Sequence, residues 1–322
     1  MLPAFHAMPA PLQQQTLGHL AAAGTALCWA GTSLCFAAAS RRVGSFHVNQ
    51  IRLVLACGLL AAACGLAGVY AAIPPAQLAL LALSGVMGLV LGDSAGFHAL
   101  QVLGARRTSL VMSLCPGFTV VLMTPLLSER LDARALAGMA LTWAGVLWAS
   151  REPGHPGEIE GSAAAGLALG LVAAFGQAAG LVLSKAGLGA APPGSPLAAM
   201  TPGAATVHPL LGTLVRIGTG AACLVGLSAV RGRLGGSLRA AGDRPAFWWT
   251  LGGTVFGPVV GVTLSLVAVT LANTGVAATI MATSPLLVIA LVRLVHGHPV
   301  TARALLGAVV AVAGVALLTL RG

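Results

Sequence analysis

Apolar residues occupy this chain in ten long runs, separated by short polar or Pro- and Gly-bearing segments. The spans predicted from these runs are residues 18–40, 47–70, 77–103, 107–127, 132–150, 162–184, 207–230, 246–271, 275–295 and 301–320. Most are close to the about 20 residues that cross the hydrocarbon core of a bilayer. Because backbone in lipid must satisfy its own hydrogen bonds, and because the runs are too long for barrel strands, the pattern predicts helices. The predicted fold is an all-α polytopic membrane protein with ten transmembrane helices.

The second half of the chain repeats the first. Residues 85–149 align without a gap on residues 254–318. The coinciding landmarks are Gly88 with Gly257, Gly92 with Gly261, Met112 with Met281, Pro116 with Pro285, and an Ala-Arg-Ala-Leu segment at 133–136 and 302–305. Each half holds five helices, and five is odd, so the second half enters the membrane from the opposite side. This predicts two inverted repeats with a substrate site near the midplane at their interface.

The predicted organisation has four parts: an N-terminal tail over 1–17, a first five-helix repeat over 18–150, a polar linker over 151–161 and a second repeat over 162–322. The first span has no basic flank before it and no convincing small-residue cleavage site. We therefore interpret it as a retained helix and not as a signal peptide.

Charged residues make up only 7% of the chain, too few to cover a water-soluble surface. The net charge of +10 comes from arginines scattered among short loops, which favours anionic lipid headgroups over nucleic acid as partners. His296 and His298 have the spacing of a metal pair but no cysteine or carboxylate nearby. The composition predicts a bilayer and a small-molecule substrate as partners, with no nucleic acid, metal or cofactor, and leaves the oligomeric state open.

Asp93 is the only carboxylate in the middle of a predicted span. A buried ionisable group in lipid is costly unless it is paired or faces water, so it is a candidate for function. Gly88, Gly92 and Gly96 form a stripe of small residues along one face of the third span. Asp93 lies one residue past Gly92, about 100° off this glycine stripe, and Phe97 shares its face one turn on. The alternative is a structural ion pair with Arg52 or Arg216.

Seven further residues lie at depths suited to lining a central cavity: Trp29, Ser33, Met112, Ser113, Gln177, Met281 and Ser284. Each can equally serve as an interhelical hydrogen-bonding or packing group. Pro116 and Pro285 remove a backbone donor in mid-span and predict helix kinks. Lys185, near a helix end, is expected to snorkel to the interface.

Several segments together resemble a known family. They are the Ala-Leu-Cys-Trp-Ala-Gly run at 26–31, Arg52, residues 92–100, Pro116, and the Leu-Ser-Glu-Arg run at 127–130 before Gly138. This constellation resembles the drug/metabolite transporter superfamily, specifically its ten-helix EamA-type members. The resemblance implies two inverted five-helix halves in the cell membrane, cytoplasmic termini, and a central cavity lined by helices 1, 3, 4, 6, 8 and 9. The family's cargo ranges over amino acids, other metabolites, sugars and drugs.

Two features depart from that pattern. The family's acidic residue after the fourth helix matches Glu129, but its second-half counterpart is His298. With cytoplasmic termini, the outward loops would carry about ten Lys and Arg against about four inside, whereas the positive-inside rule favours the reverse.

The expected function is a secondary transporter, an exporter or exchanger, that moves a small metabolite, amino acid or drug-like solute by alternating access. The alternative from another class is a membrane-embedded enzyme acting on a lipid-linked substrate. Such chemistry usually needs clustered carboxylates for Mg²⁺, and Asp93 is the only acid in the middle of a predicted span. The chain has no HExxH motif, and its GxSxG string at 92–96 lies inside a predicted membrane helix and not on the strand-to-helix turn that a nucleophile elbow requires.

Overall fold

A computed structural model of the chain describes residues 11–149, 162–288, 291 and 302–319. All regular elements in these residues are helices, and ten of them form the body of the protein. They are α1 Pro11–Val43, α2 Ser45–Ala67, α3 Pro75–Gly85 with Val86–Gly92 and Asp93–Met112, α4 Cys115–Leu127, α5 Ala133–Ala149, α6 Ala163–Gly187, α7 Pro209–Val230, α8 Arg244–Thr254 with Val255–Gly261 and Val262–Leu271, α9 Thr274–Val288 and α10 Ala302–Thr319. Six of the helices in the described residues are long and apolar enough to cross a bilayer. The predicted all-α polytopic membrane fold is confirmed.

The described helices differ from the predicted parts at several boundaries. Helix α1 begins at Pro11, so the last residues of the predicted tail are helical. Two short helices, Pro196–Ala199 and Leu234–Ala241, lie in the loops before and after α7. The predicted linker, together with His296 and His298, lies outside the described residues.

The helices pack in pairs that follow the internal repeat. Helix α3 packs along α6, and its repeat counterpart α8 packs along α1. The remaining pairs are α2 with α7, α4 with α9 and α5 with α10. Each pair joins one helix from each half, so the core of the protein lies at the seam between the halves.

Helices α5 and α10 show the two-fold relation in atomic detail. A Cβ added at Gly145 would lie 2.5 Å from the carbonyl oxygen of Gly307. A Cβ added at Gly314, the repeat counterpart of Gly145, would lie 2.7 Å from the carbonyl oxygen of Gly138. The same backbone contact is therefore made twice, with the roles of the two helices exchanged.

Both α3 and α8 change from α-helix to π-helix at the positions that the repeat aligns, Val86–Gly92 and Val255–Gly261. The aligned glycines, Gly88 and Gly92 in α3 and Gly257 and Gly261 in α8, lie buried in these segments. In α8, Pro258 lies inside the segment and removes one backbone donor. π-helical turns are rare and concentrate at functional sites, and the one in α3 ends immediately before Asp93.

The structure places neither predicted kink in the middle of a helix. Helix α3 continues to Met112, beyond the predicted span end at 103, and α4 begins at Cys115. Pro116 therefore occupies the first turn of α4, where no intrahelical donor is lost. Helix α9 is interrupted by a turn at 282–283, and Pro285 follows that turn as the helix resumes.

The break between α8 and α9 has no counterpart in the first half. The side chain of Asn273 accepts hydrogen bonds from the backbone N–H groups of Gly275 and Val276, which starts α9. The aligned residue in the first half is Gly104, which has no side chain to cap a new helix. Helix α3 accordingly runs through this position without interruption.

Opposite orientation of the two halves predicts where introduced cysteines can be labelled. Ala71 lies in the exposed loop between α2 and α3, and Arg231 lies in the equivalent loop after α7. In a background without reactive native thiols, Ala71→Cys and Arg231→Cys should react with a membrane-impermeant maleimide from opposite faces. Labelling of both from one face would contradict the inverted repeat, and labelling in intact cells also fixes the membrane orientation.

Candidate functional site

The carboxylate of Asp93 is the centre of a polar cluster between the halves. Arg52 of α2 donates through Nη2 to Asp93 Oδ2 and forms an ion pair with it. Gln177 of α6 donates through Nε2 to Asp93 Oδ1 at 2.6 Å and to the carbonyl oxygen of Gly88 at 3.1 Å. We call Asp93, Arg52, Gln177 and Arg216 the Asp93 cluster. Asp93 is thus bound by one residue from each half, Arg52 from the first and Gln177 from the second.

Arg52 is held by contacts on several sides. Its Nε donates to Asn49 Oδ1 at 2.9 Å. Its guanidinium carbon lies 5.3 Å from the ring centroids of both Phe36 and Phe97, a cation–π arrangement. The side chain is buried and does not snorkel to the interface. The sequence left open whether Asp93 has a functional role or forms a structural ion pair. The ion pair with Arg52 is present, and it forms part of the candidate site itself.

Arg216 of α7 lies beside the π-helical segment of α3. Its Nη2 is 3.4 Å from the point where a Cβ at Gly88 would stand, and Gln177 Oε1 is 3.8 Å from that point. The residue is only 4% exposed. Its Nε and Nη1 have no hydrogen-bond partner among the described residues. The cluster therefore contains two guanidinium groups and one carboxylate, an excess of one positive charge.

The two arginines reach the cluster from opposite ends of the protein. Each lies seven residues beyond the first residue of its helix, Ser45 or Pro209, about 10 Å along the axis. Helices α2 and α7 are equivalent helices of oppositely oriented halves, so they enter the membrane from different sides. The cluster consequently occupies the middle of the protein.

Glycines of both α3 and α6 allow the two helices to approach each other closely at the cluster. A Cβ at Gly92 would lie 3.3 Å from the backbone nitrogen of Gln177. A Cβ at Gly176 would lie 2.6 Å from the carbonyl oxygen of Met87. Only glycine at these positions leaves the backbones close enough for Gln177 to reach Asp93.

The other predicted site residues are distributed around this cluster. Trp29 is half-buried against α8, and its Nε1 lies 3.1 Å from the point where a Cβ at Gly261 would stand. The exposed Ser33 donates a hydrogen bond to the carbonyl oxygen of Trp29 at 2.8 Å. Met281 is buried in a hydrophobic cluster. Met112 is half-buried, Ser113 is buried in the turn after α3, and Ser284 is half-buried where α9 resumes. The structure therefore brings Gln177 to Asp93 and Phe97 to Arg52, and it leaves these six residues outside the Asp93 cluster.

A second buried ion pair joins the halves at one end of the protein. Lys185 Nζ lies 2.5 Å from Glu129 Oε1 and donates to the carbonyl oxygen of Ala272 at 2.9 Å. Glu129 Oε2 accepts the backbone N–H of Thr274 at 2.8 Å, at the start of α9. Lys185 was expected to snorkel to the membrane interface, but its side chain is buried and paired with Glu129. The charge and the helix-end position of both residues were visible in the sequence, but their pairing was not.

An exposed ion pair joins α1 to α8 elsewhere between the halves. Arg42 donates to both carboxylate oxygens of Asp243, at 3.0 and 3.1 Å. Hydrogen bonds from Arg42 and from the backbone N–H of Ala246 hold the pKa of Asp243 below its usual range. This pair provides a solvent-exposed reference for the two buried ones.

In the part of the chain that the structure describes, no three His, Cys, Asp or Glu side chains are grouped as a metal site requires. The described cysteines are free thiols.

Comparisons with known proteins agree with this architecture. The sequence profile described as "EamA-like transporter family" matches residues 16–151 and 164–320, which is nearly the whole chain, in two copies. A search of curated proteins finds no match. A solved structure described only as "Crystal structure of protein" superposes with a TM-score of 0.69 at 17% identity, covering 96% of this chain and 98% of its own. At that identity the likeness establishes the fold alone.

Proposed function

The chain belongs to the EamA-like transporter family, and we propose that it is a secondary transporter whose solute site is the Asp93 cluster. The proposed cargo is a small metabolite, amino acid or drug-like solute, moved outward or exchanged by alternating access. The observation that carries this proposal is the hydrogen bond from Gln177 to Asp93. It links residues of the two halves in the middle of the protein, where inverted-repeat transporters place their substrate sites.

A site built in this way responds to relative movement of the halves. Arg52 and Asp93 belong to the first half, and Gln177 and Arg216 to the second, so rocking one half against the other separates the two pairs. The π-helical turn before Asp93 is a natural place for α3 to adjust. A solute bound between the pairs would thus meet a different set of groups in each conformation.

Asp93 also offers a means of coupling to protons. Its negative charge is required for the ion pair with Arg52, so a proton on the carboxylate would weaken that pair. Because the aligned residue of the second half is Val262, such coupling would depend on the first half alone. We propose that the protein resides in the cell membrane with its termini in the cytoplasm, as in the family. The loop charges favour the reverse orientation.

Asp93→Asn tests the proposed site directly. The substitution keeps size and hydrogen bonding but removes the charge that Arg52 and Arg216 face. We expect transport in proteoliposomes to fall by about tenfold or more, or to lose its pH dependence, because a charged hydrogen bond in the site is lost. Flux is measured for a solute identified by a thermal-shift screen of the purified protein.

The matched control is Asp243→Asn, which removes a carboxylate from the exposed pair with Arg42. It should leave both flux and melting temperature close to those of the wild type, because water screens exposed charges. Wild-type flux with an unchanged pH profile in Asp93→Asn would show that the cluster does not carry transport. Absence of flux of any screened solute in the wild-type protein would count against transport itself.

A further inference from the structure

Arg216 differs from the other buried charged side chains of the described residues. Arg52 is paired with Asp93, and Lys185 is paired with Glu129. Arg216 has no salt bridge among the described residues, and two of its three guanidinium nitrogens lack a hydrogen-bond partner there. An unpaired buried charge is among the most costly features a protein can retain. Its retention calls for an anion that is bound during function.

The one nearby acid does not pair directly with Arg216 among the described contacts. Both carboxylate oxygens of Asp93 are already engaged, Oδ2 by Arg52 and Oδ1 by Gln177. Asp93 acts on Arg216 through its charge, without a hydrogen bond to it among the described contacts. The cluster as a whole keeps an excess of one positive charge, which favours an incoming group with one negative charge.

Resting on the proposed function, we propose that Arg216 binds the anionic group of the transported solute, a carboxylate or a phosphate. A guanidinium presents a planar set of N–H donors that matches either group. Gly88 of α3 faces the guanidinium of Arg216 and Gly85 faces its backbone, so neither position places a side chain against Arg216. Because Arg216 is almost fully buried here, the solute would enter when the halves move apart, and the structure corresponds to a closed state of this site.

The location of Arg216 argues for a solute and against a lipid headgroup. It lies about 10 Å along α7 from the end of the helix. It points towards Gly88 and Gln177 at the seam between the halves. A headgroup would have to leave the membrane surface to reach it. A free anion can follow the pathway between the halves.

Matched probes test whether the anionic group is what is recognised. The melting temperature of the purified protein is measured with L-leucine and L-leucinol, benzoate and benzamide, and glycerol 3-phosphate and glycerol. We expect at least one anionic member to raise the melting temperature of the wild type while its partner without the anionic group does not. Equal stabilisation by both members of each pair, or by neither, overturns the proposal.

The variants assign the effect to Arg216. In folded Arg216→Gln the shift should be absent, and Arg216→Lys should bind the same anion about tenfold or more weakly, because the ammonium keeps the charge but loses the planar donors. Arg231→Gln, at the exposed end of α7, should keep the full shift. If Arg216→Gln does not fold, Arg216→Lys decides the question: unchanged affinity there overturns the proposal.

Two further measurements separate this proposal from the proposed function and from lipid binding. Efflux of the stabilising anion from phosphatidylcholine liposomes should require Arg216. An anion that binds through Arg216 but does not cross the liposome membrane would support the binding site and contradict transport of that anion. Transport of a neutral solute unaffected by Arg216→Gln would support the transporter and overturn the anion site. Stabilisation that appears only with phosphatidylglycerol and depends on Arg216 would overturn a soluble anion in favour of a headgroup.

Discussion

Lys185→Met is expected to lower the free energy of unfolding by about 3–5 kcal/mol, because it leaves the Glu129 carboxylate buried without its counter-charge. Methionine keeps the length and apolar stem of lysine, so the change removes the charge without leaving a large cavity. Glu129 would retain the N–H of Thr274 as a donor. One backbone donor does not compensate for a missing ammonium. Unfolding of the purified protein in detergent, followed by circular dichroism against denaturant or temperature, measures the loss.

The double variant Lys185→Met with Glu129→Gln is the decisive control. Removing both charges should recover most of the loss, because a neutral pair does not carry the desolvation cost of a lone carboxylate. Arg42→Met breaks the exposed pair with Asp243 in the same chemical way and should change stability little, since solvent reaches both partners. If Lys185→Met cost no more than Arg42→Met, the Lys185–Glu129 pair would have to be solvated.

These two ion pairs lie on opposite sides of the membrane in the ten-helix arrangement. Glu129 follows the fourth helix, whereas Asp243 precedes the eighth. Both pairs join the first half to the second, but one is buried and the other is exposed. In the conformation described, the contact between the halves is therefore closed to solvent at the Lys185 pair and open to it at the Arg42 pair.

The all-helical fold could be predicted from the sequence because lipid imposes a simple rule. Apolar runs of sufficient length must be helical, and an odd number per half must invert the repeat. The location of helix ends could not be predicted as well. The residues of the turn at 113–114, Ser113 and Leu114, are no more polar than many within helices, so composition does not separate turn from helix. The π-helical segments could not be predicted for a related reason. A helix that is apolar on all sides has no hydrophobic periodicity that such a segment would interrupt.

Asp93 could be identified because a lone carboxylate in a span is conspicuous on energetic grounds. Its partners could not be identified with the same certainty. Gln177 lies 84 residues away in the other half, and only the packing of α3 against α6 brings the two together. Arg216 could be named only as one of two possible ion-pair partners of Asp93, and its lack of an acceptor became visible once the contacts around it were known.

Gly176→Ala is expected to destabilise the protein by about 1–3 kcal/mol and to reduce transport strongly, because the added methyl group meets backbone and not a movable side chain. The new Cβ would lie 2.6 Å from the carbonyl oxygen of Met87 and 3.0 Å from Cα of Gly92, so α6 must move away from α3. That movement carries Gln177 away from Asp93. Gly226→Ala is the matched control: Gly226 is also helical, with no atom within 4 Å of its Cβ position, and the substitution should stabilise α7 by about 0.5–1 kcal/mol. Melting temperatures and liposome flux measured for both variants test the expectation, and equal behaviour of the two would show that the close approach at Gly176 does not position the cluster.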